Sequence, residues 1–335
     1  MSRSASRSFH ATVAVIALAA LLAACTGDNE DPVPDGGPPA SSGPDLAAIV
    51  ASTDLVAGQP QRVDVGLLTQ DNKFLSYGDV DFSFSYLGTE ADPVDPEPSG
   101  EATARFVPTP GEQVEQRETP EIVPPSQARG VYEADDVTFD REGFWQVDVT
   151  GTLADGSAIA ASANFGVNDQ PILPFPGDEA LKTVNHVVGE KGVPEAAIDS
   201  RATTEGSVPD KALHEWTIAG AIEQGVPALV LFATPVYCQT EFCGPVTDEL
   251  ASLQRVYGDR AAFLHVEIWR DYQKQTLNEA AADWLYRDDE LTEPWLYLIG
   301  ADGKVLDRWG PLFDPTQVED ALAKLPMLPA GTKPS

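Results

Sequence analysis

The sequence predicts a multidomain chain, an N-terminal all-β antiparallel sandwich followed by a C-terminal α/β domain. Three observations carry this. Residues 45–167 show short runs alternating apolar and polar side chains with a period of two, the mark of half-buried strands. Residues 205–330 show continuous apolar runs interleaved with segments of helical period, as expected of strands covered on both faces. Between them lies a stretch punctuated by Pro and Gly. A length of 335 residues suits two domains at about 150 residues each. With 53 acidic against 21 basic residues and a net charge of −32, the surface repels phosphate backbones and anionic headgroups. Nucleic-acid binding is excluded on that ground. The acidity itself fits either a saline habitat or simple solubility.

The chain opens with Arg3 and Arg7, then an apolar run from Ala11 to Leu22 that falls short of the roughly 20 residues a span requires. Basic, apolar and small residues in that order form a secretory signal, residues 1–24. Its end, Leu22-Ala23-Ala24-Cys25, resembles the bacterial lipobox. The resemblance implies acylation of Cys25 and attachment to the cell membrane through that lipid, on the extracytoplasmic face, where disulfides persist. Residues 25–44 lack periodicity and, apart from Val33, large apolar side chains, and read as a disordered tether.

In residues 45–167 the clearest strands are 62–68, 81–87, 131–139, 144–150 and 159–167. Trp145, Val147 and Val149 point one way, and Gln146 and Asp148 the other. Ala154-Asp155-Gly156-Ser157 is a hairpin turn. About seven strands without helical periodicity predict a sandwich. The string GVYEADDVTFDREGFWQVDV resembles the closing strands of bacterial immunoglobulin-like domains. This region holds no Cys and no His, so neither an inter-sheet disulfide nor a His-based copper site is expected there. Gly88–Thr103 and Pro108–Gly130, rich in Pro and Glu, are expected as long loops, either a binding surface or solvated insertions.

Residues 168–204 read as a partly ordered linker whose apolar members pack on the following domain. There, 217–224 predicts a short helix closed by Gly225, and 228–232 a buried strand. After Cys238 and Cys243 comes a helix with Val246, Leu250, Leu253 and Tyr257 on one face. A second buried strand follows at 263–268, then a helix at 276–286. Residues 295–299 and 305–309 form a hairpin around Ala301-Asp302-Gly303-Lys304. Asp314 caps a last helix, with Pro315 at its first position and Gln317 at the capping-box position.

This order of elements, with VLFATPVYC and TEPWLYLIGADGKVLDRWG, resembles the membrane-tethered thioredoxin-like family over residues 205–330. The resemblance implies that Pro294 is a cis-proline and that the backbone of Glu293 pairs with a bound substrate strand. Spacing alone equally allows a trans proline opening an edge strand. The cysteines depart from the family's C-x-x-C. In C-x4-C, five helical steps put the Cα atoms roughly 8–9 Å apart, beyond the ~7 Å a disulfide can bridge. Either Cys238 lies in the loop before the helix, or the first turn unwinds when the bond forms. Two alignments are open. Cys243-Gly244-Pro245-Val246 can match the family's C-G-P-C, or Cys238 is the attacking thiol and Cys243 resolves it, which is the preferred reading.

The implied activity is thiol-disulfide exchange with extracytoplasmic protein thiols and disulfides, with Cys238 and Cys243 as catalytic residues and no cofactor or metal. A second reading is a non-catalytic scaffolding lipoprotein with a structural disulfide. Glu241 between the cysteines, and few basic residues nearby, work against a thiolate. C-Q-T-E-F-C also resembles two-cysteine peroxiredoxins, but the hydroxyl and Pro those enzymes need fall on Pro235 and Leu231. Copper delivery needs a C-x3-C pair and a downstream His, and no His follows His265. His265 is expected to face the core, and His186 and His214 to be loop or surface residues.

Overall fold

The computed structural model describes residues 43–334, apart from Gln113, Gln116, 239–241 and Asp288. The signal segment 1–24, Cys25 and all but the last two residues of the tether lie outside the described residues. What is described is β-rich, with several sheets. No helix among the described residues is long and apolar enough to cross a membrane.

Nine antiparallel strands come first: β1 (Leu46–Val50), β2 (Gln61–Thr69), β3 (Phe74–Ser76), β4 (Asp79–Gly88), β5 (Pro93–Pro108), β6 (Glu121–Val123), β7 (Gly130–Val137), β8 (Gly143–Thr152) and β9 (Ala158–Val167). They form one hydrogen-bonded path, β6-β3-β2-β7-β5-β4-β8-β9, with β1 added to β2. β1 also runs beside β9, so the path curls around its own core. Period-two alternation supplies that core: Val63, Val65, Leu67, Phe82, Phe84, Trp145, Val147 and Val149 are all buried. Trp145 packs against Phe139 with ring centroids 4.8 Å apart.

Gly88–Thr103, expected as a loop, is instead the turn and outer arm of a hairpin. β5 pairs with β4 from Pro93 opposite Gly88 to Arg105 opposite Asp79. Pro93, Pro96 and Pro98 are tolerated because β7 joins the other edge of β5 only at 105–108. The 108–130 segment contributes β6, paired with β3.

The second sheet is small and mixed. It contains β10 (Ala228–Ala233) and β11 (Ala262–Glu267). Two short pairs follow, β12 (Trp269–Asp271) with β13 (Thr276–Leu277), and β14 (Tyr286–Arg287) with β15 (Glu290–Leu291). The sheet is completed by β16 (Trp295–Ile299) and β17 (Val305–Trp309). The order is β11-β10-β16-β17, with β10 and β11 parallel and the other pairs antiparallel. Helices α1 (Ala202–Glu205), α2 (Ile218–Glu223), α3 (Cys243–Tyr257), α4 (Glu279–Leu285) and α5 (Pro315–Ala323) accompany it. All six residues of β10 are buried, as its uninterrupted apolar sequence requires.

The helix expected over 276–286 is shorter. Residues 276–277 pair with β12, and Asn278 is held by donating its side-chain amide to the carbonyls of Ala197 and Glu267. Asp314 caps α5 by accepting from the Thr316 amide. Gln317 makes no capping box. Its Nε2 donates to Glu133 and Asp135 and its Oε1 accepts from Trp309.

The 168–204 segment is described throughout. Leu173 and Ala180 enter the core of the second sheet, and residues 177–180 exchange backbone hydrogen bonds with Gly303 and Val305. The two halves meet through ion pairs: Arg308 with Asp54 at 2.7 Å, Arg62 with Asp307 at 2.9 Å, and Arg105 with Asp314 at 2.8 Å, Arg105 also pairing within its own sheet with Glu133 at 2.6 Å. Beside them, Phe242 and Leu312 pack against Val107 and Val131.

Candidate functional site

β10 ends at Ala233, and the chain turns through Thr234, Pro235, Val236 and Tyr237 to reach Cys238. α3 starts at Cys243 because the apolar stripe Val246, Leu250 and Leu253 seats it against the sheet, and Thr247 donates back to the Cys243 carbonyl at 2.7 Å. Cys238 and Cys243 form a disulfide with Cα atoms 5.9 Å apart. Cys238 lies in the loop ahead of the helix, the first of the two arrangements open to a C-x4-C pair. It is half-buried, whereas Cys243 is fully buried. The Cys243 amide, the first of α3, donates to Cys238 Sγ at 3.4 Å. Glu241 lies outside the described residues.

The Glu293–Pro294 peptide bond is cis, and so is Gly310–Pro311. Pro294 is buried and Glu293 half-buried. The Glu293 carboxyl, more than its backbone, defines the site. One of its oxygens and the two sulfurs all lie within 4.8 Å of one another. Its Oε2 is buried and has no hydrogen-bond partner among the described residues. Burial first, and the charge of Glu267 second, push its pKa up to about 8.

Behind the cysteine loop is a polar cluster with the opposite character. Asp199 Oδ2 lies 3.2 Å from His214 Nε2, 3.3 Å from His265 Nδ1 and 2.7 Å from Arg201 Nη2. The Asp199 side chain and both imidazoles are fully buried. Burial alone would raise the Asp199 pKa, but His265, His214 and Arg201 hold it far below the carboxylate range. Burial lowers His214. For His265 burial is the largest single influence and lowers the pKa, but the Asp199 charge and hydrogen bond together with the Glu267 charge overcome it, and the shift is upward. His265 Nε2 donates to the Ala233 carbonyl at the end of β10, Ser200 Oγ accepts from the Val236 amide, and the Ser200 amide donates to Glu267. The cluster therefore clamps the strand end and turn that present Cys238.

His265 faces the core as expected, and His186 is a loop residue paired with Glu190. His214 is not a surface residue. The 3₁₀ turn Lys211–His214 directs its ring inward onto Asp199. Asp199, His214 and His265 have the types and spacing of a metal set. Arg201, however, reaches both carboxylate oxygens, so the cluster is already charge-compensated. Sequence reading missed Asp199 and Arg201 because they fall in the Pro- and Gly-punctuated segment. The signal available was an Asp-Ser-Arg triplet beside two otherwise unexplained histidines.

No protein-family profile and no curated protein matches the chain. Among solved structures it is similar to MtrC from Shewanella baltica OS185, at 10% identity and a TM-score of 0.23 over 40% of this chain and 24% of that one. It is also similar to BslA, a bacterial hydrophobin, at 11% identity and a TM-score of 0.17 over 37% of this chain and 98% of that one. The chain thus spans about a quarter of the MtrC chain, and at these scores neither likeness bears on function.

Proposed function

We propose that the chain is a lipid-anchored, extracytoplasmic thiol-disulfide oxidoreductase built from an immunoglobulin-like and a thioredoxin-like domain. The observation that carries this reading is a disulfide at the junction of β10 and α3 between one half-buried and one buried cysteine. In the reduced form Cys238 attacks a client disulfide, and the amide at the start of α3 steadies its thiolate. A client thiolate leaves with the other sulfur. Cys243 then attacks Cys238 Sγ, releasing the second client thiol and re-forming the internal bond. The cis Glu293–Pro294 segment beside the sulfurs supports the reading that this edge receives the client. Anchoring through Cys25 completes it. Replacing Cys243 with Ser is expected to trap clients on Cys238 as mixed disulfides. Absence of any such adduct, with Cys238 titratable by a thiol reagent, overturns the assignment.

The second reading, a scaffolding lipoprotein with a structural disulfide, is favoured by the full burial of Cys243 and by the acidic surroundings of the pair. Equilibration against a series of dithiol buffers separates the two. Ready exchange supports the oxidoreductase, and a bond that survives strong reductant supports the scaffold.

A further inference from the structure

The reduced cysteine pair faces an electrostatic problem that the Cys243 amide donating to Cys238 Sγ offsets only in part. Cys238, Cys243 and Glu293 bring two sulfurs and a carboxylate oxygen within 4.8 Å of one another, and the further charge acting on Glu293 is a second carboxylate, Glu267. Glu267 is committed elsewhere, accepting from the Ser200 and Trp269 amides. Glu293 Oε2 is buried and accepts nothing among the described residues. The arginines nearby are spent. Arg201 is held by Asp199, Asp210 and Asp248, and Arg308 by Asp54. A dithiolate formed here therefore meets carboxylates and no free cation from this cluster.

We infer that Cys238, Cys243 and Glu293 form, on reduction of the disulfide, a binding site for a thiophilic divalent cation of the zinc type. Two thiolates and one carboxylate are a borderline-soft donor set, far from the six to eight oxygens that calcium takes. C-x4-C lies within the spacing of zinc-binding cysteine pairs. A tetrahedral ion with bonds of about 2.0–2.3 Å holds its ligands roughly 3.5–3.8 Å apart; the sulfurs, bonded in the disulfide, part to that spacing once reduced, and the carboxylate oxygen already lies within 4.8 Å of both. Three protein donors leave a fourth tetrahedral position for water or an incoming ligand. The Asp199 clamp fixes the turn ahead of Cys238, and Ser200 holds Glu267 as an outer carboxylate.

A dithiol reductant delivers two electrons and two protons to the disulfide and becomes a disulfide itself. The cation then displaces the thiol protons, and that of Glu293 where it is protonated, into buffer. Reduction creates the site and oxidation abolishes it, so cation occupancy reports the redox state of the pair.

The test uses the full chain, reduced with a dithiol, freed of reductant anaerobically and titrated with Co2+ alone. One equivalent is expected to produce sulfur-to-cobalt charge-transfer absorption and the visible bands of a tetrahedral ion, both bleached by Zn2+. X-ray absorption of the zinc complex is expected to count two sulfurs. Glu293→Gln, checked for a wild-type circular dichroism spectrum and for re-formation of the disulfide, is expected to weaken Co2+ binding roughly tenfold or more. Absence of charge-transfer absorption in the reduced wild type overturns the inference. So does equal binding by the oxidised chain, a sulfur count other than two, or unchanged affinity in Glu293→Gln. Client trapping is measured separately in chelator. A chain that traps clients but binds no Co2+ sinks only this site, and the reverse result sinks only the oxidoreductase.

Discussion

Asp199 and Glu293 are carboxyls withdrawn from solvent at the same end of the small sheet, and they are treated in opposite ways. Asp199 receives Arg201 on both oxygens and two histidines besides, and its proton is lost far below the usual range. Glu293 faces two sulfurs and another acid, and its proton is retained to about pH 8. Burial acts on both in the same direction, so the difference comes from partners. A compensated carboxylate locks a loop in place. An uncompensated one keeps a chemical demand that folding left unmet, and it lies where the sulfurs are.

The sharpest way to break this comparison is to remove the partnered acid. Asp199→Ala leaves Arg201 with only Asp210 and Asp248 and strips two buried imidazoles of their shared partner, and is expected to cost about 3–5 kcal/mol, read from urea denaturation. A loss under 1 kcal/mol would mean that the cluster is not a clamp.

Next comes the junction. Arg308→Met strands the buried Asp54 carboxylate, which also accepts from the Ile172 and Leu173 amides, and is expected to cost about 3 kcal/mol.

Glu293→Gln should behave differently from either. The folded pKa, about 8, lies above the ordinary carboxyl value, so the folded chain holds the proton more tightly than the unfolded one. Below about pH 4.5 both states are protonated and the group costs nothing. Stability falls as pH rises from there to about 8 and is level beyond. In oxidised, chelator-treated protein the variant is therefore expected to match wild type near pH 4.5 and exceed it at pH 9. A wild-type advantage at pH 9 would overturn the assignment of an uncompensated acid.

The smallest effect expected is for Arg105→Gln, whose side chain is more than a third exposed and whose buried partner Glu133 keeps the Gln317 amide as a donor. About 1 kcal/mol or less should be lost, and less still in high salt.

The sequence carried the elements whose signal is local. The buried run of β10, the stripe of α3, the Asp-Gly hairpin of β16 and β17 and the Asp314 cap each announce themselves within a dozen residues. The cysteine pair was legible for the same reason, down to the placement of Cys238 ahead of the helix as one of two options. Asp199, His214 and His265 were not, because strands and turns bring them together from three separate segments with no shared periodicity. The outer arm of β5 was hidden by its prolines, which read as loop until the edge position makes them harmless. For Glu293 the resemblance directed attention to its backbone. That its carboxyl points at the sulfurs is a fact of packing.

Phe242, immediately before Cys243, sits among Val107 and Val131 of the nine-stranded sheet and Leu312 of the chain that follows β17. The two halves of the chain are thereby stitched together one residue from the buried sulfur. Severing the polypeptide between them would unplug that aromatic ring and bare its oily socket. Work on the sulfur chemistry is therefore best done on the undivided chain, because the first sheet holds the residue that precedes Cys243.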